Sequence, residues 1–206
     1  MVVNSGIFIF TTSNKKNTNV GGNIMRTLLV LISIFILLDG CKTTIKTFAT
    51  TDKDKIGVKS NKFRGTIFKS SYPQDKLFIS SVDSINRFTP TENEIKLAET
   101  ILKQQIEKLN NPRINQFGKK QYIDKNLNKY FRQYVGFIND KGHKLIHINF
   151  YWDKYTLFDR LKGYDDQRRD YTSDFSMVLD GGSHYWNVNV NLTTNKLERL
   201  EVNGVA

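Results

Sequence analysis

The chain has 206 residues, 31 basic against 20 acidic for a formal net charge of +11, with 39% hydrophobic residues, three histidines and a single cysteine. That is one domain's worth of chain with enough apolar content to build a core, which sets it apart from disordered and collagenous sequences. One cysteine excludes an internal disulfide. Lys119-Lys120 and Arg168-Arg169 are the only basic doublets after Cys41, so the charge reads as a solvated basic surface rather than a nucleic-acid footprint.

Residues 1–24 are polar around one short apolar patch, Gly6 to Phe10, and read as an extension ahead of a natural start at Met25. "MRTLLVLISIFILLDGCKTT" follows, from Met25 to Thr44. Arg26 supplies a positive start, and Leu28 to Leu38 is apolar apart from Ser33. The block matches a signal h-region of about 7–15 residues and falls short of the roughly 20 needed to span a bilayer. It also lacks the polar face that a core helix shows at helical spacing.

Leu38-Asp39-Gly40-Cys41 resembles the lipobox of bacterial lipoproteins, with Leu38 three before the cysteine and small Gly40 directly before it. Asp39 stands where a small or apolar residue is usual. The resemblance covers the signal segment alone, roughly Met25 to Cys41. It implies a signal peptide over 25–40, diacylglyceryl transfer to the Cys41 thiol, cleavage before Cys41 and acylation of the new amino terminus. The expected location is the cell envelope, held to a membrane by lipid, with Lys42 compatible with outer-membrane sorting in a cell that has two membranes. Beyond Gly40 remain 166 residues with 28 basic and 19 acidic, a charge of about +9.

Residues 41–62 are Thr/Lys/Asp-rich and are expected to form a flexible tether, with a single α+β domain over 63–206. "KFRGTIFKSS" and "DKLFISSV" predict one or two short strands around Tyr72-Pro73. Thr91 and Glu94 make a capping-box pair, and Ile95, Ala98, Leu102, Ile106 and Leu109 form one apolar stripe with Ile101 beside it, so a helix runs to Asn110-Asn111-Pro112. A second helical pattern covers Ile123, Leu127 and Tyr130.

The period then changes to two. Phe131 to Phe137 and "HKLIHINFYW" read as a hairpin across Asn139 to Gly142, with Ile146, Ile148, Phe150 and Trp152 on one face. A charged connection from Asp153 to Asp174 holds a short helix near Leu157 to Leu161. Three strands follow from Phe175, turning at Asp180-Gly181-Gly182 and at Thr194-Asn195. Trp186, Val188, Val190 and Leu192 share a face, and Trp152 and Trp186 read as core residues. The expected fold is α+β, one long helix packed on a curved antiparallel sheet of about five strands. In layout this resembles cystatin-like or nuclear-transport-factor-like rolls, which host binders, inhibitors and enzymes alike.

The chemistry is sparse. His143 and His147, four apart on a strand, are separated by about 13 Å, too far to share a metal ion. Asp159, Asp165, Asp166, Asp170 and Asp174 lack the calcium-loop spacing and read as a solvated loop. There is no nucleophile elbow, P-loop or dinucleotide turn, and no catalytic residue, metal ligand or cofactor is assigned. Tyr185, Asn187, Asn189 and Asn191 alternate on the strand face opposite Trp186. Leu145, His147, Asn149 and Tyr151 do the same on the preceding strand. Joined in one sheet, Tyr185, Asn187, Asn189, Asn191, His147, Asn149 and Tyr151 would offer aromatic edges and amides to a polar ligand such as a glycan or peptide. The expected function is a membrane-anchored, non-catalytic binding or inhibitor-like domain, whose partners are the membrane and a glycan, peptide or envelope protein. The alternatives are a small envelope hydrolase and a structural partner in an envelope assembly.

Overall fold

Strands dominate because most of the chain after residue 43 alternates apolar and polar residues in short runs, and only one stretch keeps a helical stripe long enough to outlast them. The computed structural model describes residues 43–77, 79, 86–163 and 168–204. The signal segment, Cys41, Asp165 and Asp166 lie outside the described residues. The elements run β1 (Ile45–Ala49), β2 (Lys55–Ser60), β3 (Arg64–Phe68), β4 (Arg87–Phe88), α1 (Glu92–Leu109), β5 (Tyr130–Ile138), β6 (Lys144–Trp152), α2 (Leu157–Leu161), β7 (Tyr185–Asn191) and β8 (Lys196–Val202).

The strands form one eight-stranded sheet in the order β1-β2-β3-β5-β6-β7-β8, with β4 also on β5. Neighbours are antiparallel except β3 and β5, which pair in parallel from Arg64↔Phe131 to Phe68↔Val135. Two-residue β4 takes over beside β5 where β3 stops, at Arg87↔Phe137 and Phe88↔Gly136. The sheet is thus two antiparallel meanders joined by a parallel seam. β1, β3, β5 and β7 start at the same end of the sheet, where β2, β6 and β8 finish. We call this the lower end.

This corrects the expected five-stranded roll. Residues 45–60, expected as tether, are two strands. Of their apolar side chains, Ile45, Ile56 and Val58 face the core under α1, and that pattern is too thin to stand out from the surrounding Thr and Lys. The Phe48 ring packs over Gly57, where a Cβ would come within 2.3 Å of it. The helical pattern at 123–130 resolves into 3-10 turns at Ile123–Lys125 and Leu127–Lys129, and Tyr130 already belongs to β5. "DKLFISSV" opens with a 3-10 turn at Gln74–Lys76, and Leu77 and Ile79 are buried. Phe175 to Leu179, expected as a strand, instead belongs to an irregular strap from 168 to 179 that crosses the sheet face opposite α1.

α1 begins as its capping box requires, with Thr91 and Glu94 each satisfying the other's free N–H, and it buries Ile95, Ala98, Ile101, Leu102 and Ile106. These pack on Ile67, Tyr134, Ile146, Ile148, Val188 and Val190. α2 carries the same kind of box at Thr156 and Asp159. Trp186 is fully buried and stacks on Phe150 at 3.6 Å between ring centroids. Trp152 is only half-buried at the lower end, where its Nε1 donates to the Lys154 carbonyl, so it borders the core rather than filling it. Every residue of β5 up to Phe137 is buried, because the strap covers the other face.

Inside the α1 face lies one ion pair. Arg132 Nε sits 2.8 Å from Glu99 Oε1, and Arg132 is 2% exposed. Its other nitrogens donate to the carbonyls of Tyr130 and Leu127. Its guanidinium lies 3.6 Å from the centroid of the Phe63 ring. Tyr134 Oη donates to Glu99 at 2.7 Å. Glu99→Ala should therefore destabilise the fold by about 3–5 kcal/mol, because it strands a buried guanidinium. Glu99→Leu combined with Arg132→Met should recover most of that loss, and urea unfolding of the three proteins checks both expectations.

Candidate functional site

Alternation along β6 and β7 places the seven polar and aromatic residues singled out above on one face, as expected. The register pairs them directly: His147↔Asn189, Asn149↔Asn187 and Tyr151↔Tyr185. The face is not open. His147, Asn149, Tyr151, Asn189 and Asn191 are all buried, and Tyr185 and Asn187 are half-exposed. Most of their polar atoms are engaged inside the domain. His147 Nδ1 lies 2.9 Å from Asn189 Oδ1. Asn149 Nδ2 donates to the Ser176 carbonyl at 2.9 Å, and Tyr151 Oη lies 2.9 Å from Ser176 Oγ. Asn191 Nδ2 donates to Glu198 at 2.8 Å, while its Oδ1 accepts the backbone N–H groups of Thr193 and Thr194. The strap supplies the acceptors that a ligand was expected to supply.

What remains beside His147 is a cavity of about 30 Å3 between Phe175, Met177, Arg199 and Glu201, room for a water molecule or two but no organic ligand. Burial pushes the His147 imidazole down to about 4, against the opposing effect of its Asn189 hydrogen bond. It stays neutral at physiological pH.

The acidic loop serves structure too. Asp159 caps α2, and Asp170 accepts from the backbone N–H groups of Thr172 and Ser173. Asp174 receives Lys55 Nζ at 2.7 Å and Tyr72 Oη at 3.1 Å. Lys55 itself is buried, and its two carboxylate partners Asp174 and Asp52 raise its pKa against the lowering effect of burial, which is the largest single influence. Among the described residues no group of three His, Cys, Asp or Glu side chains is placed to hold a metal ion.

The roomier concavity is elsewhere, at the lower end. A groove of about 280 Å3 lies between the loop after α1 and the turn before β7, lined by Asn115, Phe117, Gln121, Asp180–Gly182, Ser183 and His184. One wall is set by Asn110 and Gln116, whose side-chain amides donate to one another at 2.9 and 2.6 Å, and by Arg113, which pairs with Asp124. Asn115 holds this loop to β8 through a 3.1 Å bond to the Val202 carbonyl, at φ 55°. Gln121 accepts the Phe117 N–H at 2.7 Å, leaving the Phe117 ring 71% exposed.

The other wall is the glycine turn. Gly181 and Gly182 have φ of 84° and 55°, conformations that favour glycine, and a Cβ on Gly181 would come within 2.7 Å of the Tyr185 ring. Gly182 N–H donates to the Gly204 carbonyl, and Tyr130 Oη donates to the Ser183 carbonyl at 2.7 Å, which pins the turn to the core. His184 packs on Trp152 at 4.8 Å, and burial lowers its pKa while Asp159 opposes the shift.

The sequence flagged the Gly181-Gly182 turn but only as a turn, and it held no signal for Asn115, Phe117 or Gln121, which sit in a loop without periodicity. Comparison with protein-family models, curated proteins and solved structures finds no match to this chain.

The buried neutral His147 carries a pH consequence. On acidification the unfolded chain takes up its proton near pH 6.5, whereas the folded chain does so only near 4. Stability contributed by this group is therefore complete above about pH 6.5 and is lost as pH falls toward 4, by at most about 3 kcal/mol. Urea midpoints at pH 7.5 and 4.5 should show a larger drop for the wild type than for His147→Gln. Equal drops would mean that His147 protonates freely in the folded state.

Proposed function

We propose that this chain is a lipid-anchored envelope protein whose domain is a non-catalytic binding module, taking a small polar ligand in the groove beside Gly181–His184. The observation that carries the binding reading is the contrast in space. The polar sheet face is sealed around a cavity of about 30 Å3, whereas the lower-end groove offers about 280 Å3 with an exposed phenyl ring, amides and an exposed imidazole. A flat aromatic surface beside amide donors and acceptors is chemistry suited to a sugar ring or a short peptide. The anchor is supported by the h-region that ends in Leu38-Asp39-Gly40-Cys41.

One observation favours an enzyme instead: His184 and Asp180 line the same groove. A hydrolase reading needs them joined through a substrate or water, since among the described residues His184 makes no hydrogen bond to a carboxylate.

Mass spectrometry of membrane-extracted protein should find an acylated peptide beginning at Cys41, and Cys41→Ser should stall the chain as precursor or release it from the membrane. An intact Met25–Cys41 segment with a free thiol in the mature protein would overturn the anchor.

For the groove, NMR titration with neutral oligosaccharides and short peptides should shift amides at 115–121 and 180–184. Phe117→Ala should weaken that binding more than about tenfold, the order expected for an aromatic anchor. Shifts confined to the surroundings of His147 would reject the assignment, and turnover of a probe that disappears in His184→Ala would establish the hydrolase.

A further inference from the structure

We propose that the lower end of the sheet docks flat on an anionic lipid surface. The first observation is where apolar side chains face water. Among the described residues the most exposed large hydrophobics are Ile114 at 63%, Phe117 at 71%, Leu157 at 73%, Phe158 at 75%, Leu161 at 77% and Leu179 at 81%. All six belong to segments at this one end. Leu157, Phe158 and Leu161 are on α2, which follows the finish of β6. Leu179 precedes the turn into β7, and Ile114 and Phe117 flank Asn115, which bonds to the finish of β8. α2 and the groove are linked through His184, which lines the groove and interacts with Asp159 of α2. α2 thus covers little of the core and presents a Leu-Phe-x-x-Leu edge outward, the pattern of a short interfacial helix.

The second observation is charge. Lys62, Lys119, Lys120, Lys154 and Arg160 are exposed at this same end. Among the described residues most carboxylates beside them are engaged: Asp159 caps Thr156, Asp153 is held by Arg64 and Arg168, Asp124 by Arg113 and Glu201 by Arg199, while Asp180 lines the groove. Exposed leucines and phenylalanines among lysines complement anionic headgroups over acyl chains, whereas a protein partner would need acidic groups to match the same cations.

The third observation is where β1 starts. Thr43 leads into the start of β1, and that start lies at the lower end. In sequence Cys41 precedes Ile45 by four residues, a span of at most about 14 Å of chain. From β1 to the finish of β6 is four strand spacings, about 19 Å along the sheet edge. Anchor and apolar edge would reach one membrane plane together. The proposal rests on the anchor reading for this third observation alone; exposure and charge stand without it.

The test uses the full chain on vesicles, with a single environment-sensitive fluorophore on Phe158→Cys or, as control, on Leu97→Cys at the outward side of α1. On vesicles containing about one-third anionic lipid, emission from position 158 should shift to the blue and become accessible to quenchers in the bilayer, while position 97 stays aqueous. The shift should fade on neutral vesicles and in high salt. Leu157→Ser/Phe158→Ser/Leu161→Ser should reduce it more than about tenfold in partitioning. Flotation with a water-exposed label at 158 would overturn docking and leave the anchor standing, and failure to float would overturn both. Salt-sensitive flotation of a chain that mass spectrometry shows to be unlipidated would support docking and remove the anchor. A blue shift that grows with protein concentration in the absence of vesicles would show a second copy of the chain on this edge, and would also overturn docking on lipid.

Discussion

A guanidinium buried in an apolar core fixes where α1 sits on the sheet. Arg132 projects from β5 toward α1, among polar groups that match its charge. Glu99 supplies the opposing charge, the carbonyls of Tyr130 and Leu127 each accept from one of its terminal nitrogens, and Phe63 and Phe150 give it aromatic faces. Burying one ion costs several kcal/mol even after relaxation, so neither partner is tolerable without the other. Sliding α1 by one turn along the sheet would move Glu99 about 5 Å and leave both charges bare. Apolar packing holds α1 down, and this pair specifies where. Tyr134 adds direction, since its hydroxyl donates to the same carboxylate from the same strand.

Placement of α1 in turn decides which face of the sheet must find another cover. With α1 on one side, the face of His147 and Asn149 would be left wet, and the strap from 168 to 179 closes it. The strap does so with backbone. The carbonyls of Tyr171, Thr172, Asp174 and Ser176 accept from Thr66, Lys55, Gln133 and Asn149. Phe175 fills the gap among Phe68, Val135, Phe137 and Leu145. Polar side chains that look like a binding surface along the strands are consumed by these acceptors. Recognition is thereby displaced from the broad face to the end of the sheet, where loops are free to shape a concavity.

This explains what could be read from the sequence and what could not. α1 and α2, the β5–β6 hairpin and the β7–β8 pair follow from capping residues and clean periods, and they lie where those signals put them. The inward set of β6 and β7 was equally legible, from Ile146 to Phe150 and from Trp186 to Val190. β1 and β2 were not, because a few apolar residues scattered among Thr, Lys and Asp carry almost no pattern; their burial depends on α1, which is remote in sequence. The polar face was located correctly and its exposure was not, since side-chain alternation says which residues share a face but is silent on a distant segment's carbonyls. The lower-end groove was hidden for a related reason. Phe117 and His184 are about seventy positions apart and meet only because Asn115 is tied to β8 and Gly182 to Gly204.

The parallel pairing of β3 with β5 has a kinetic meaning. β1 to β3, the β5–β6 hairpin and the β7–β8 pair each form from neighbours a few residues apart, and 32 residues separate β6 from β7, but the seam closes only after the 61 residues from 69 to 129 have been gathered in. Closing so long a loop is entropically costly and is recovered only when the strands meet, so the seam is expected to form late. Until then β3 and β5 each present a bare edge, and β5 is a strand that the finished fold buries along nearly its whole length. A chain emerging from its amino terminus would display β1 to β3 first, waiting for a partner not yet made. The passage through that interval, more than the final stability, is where this topology exposes the protein to pairing with another copy of itself.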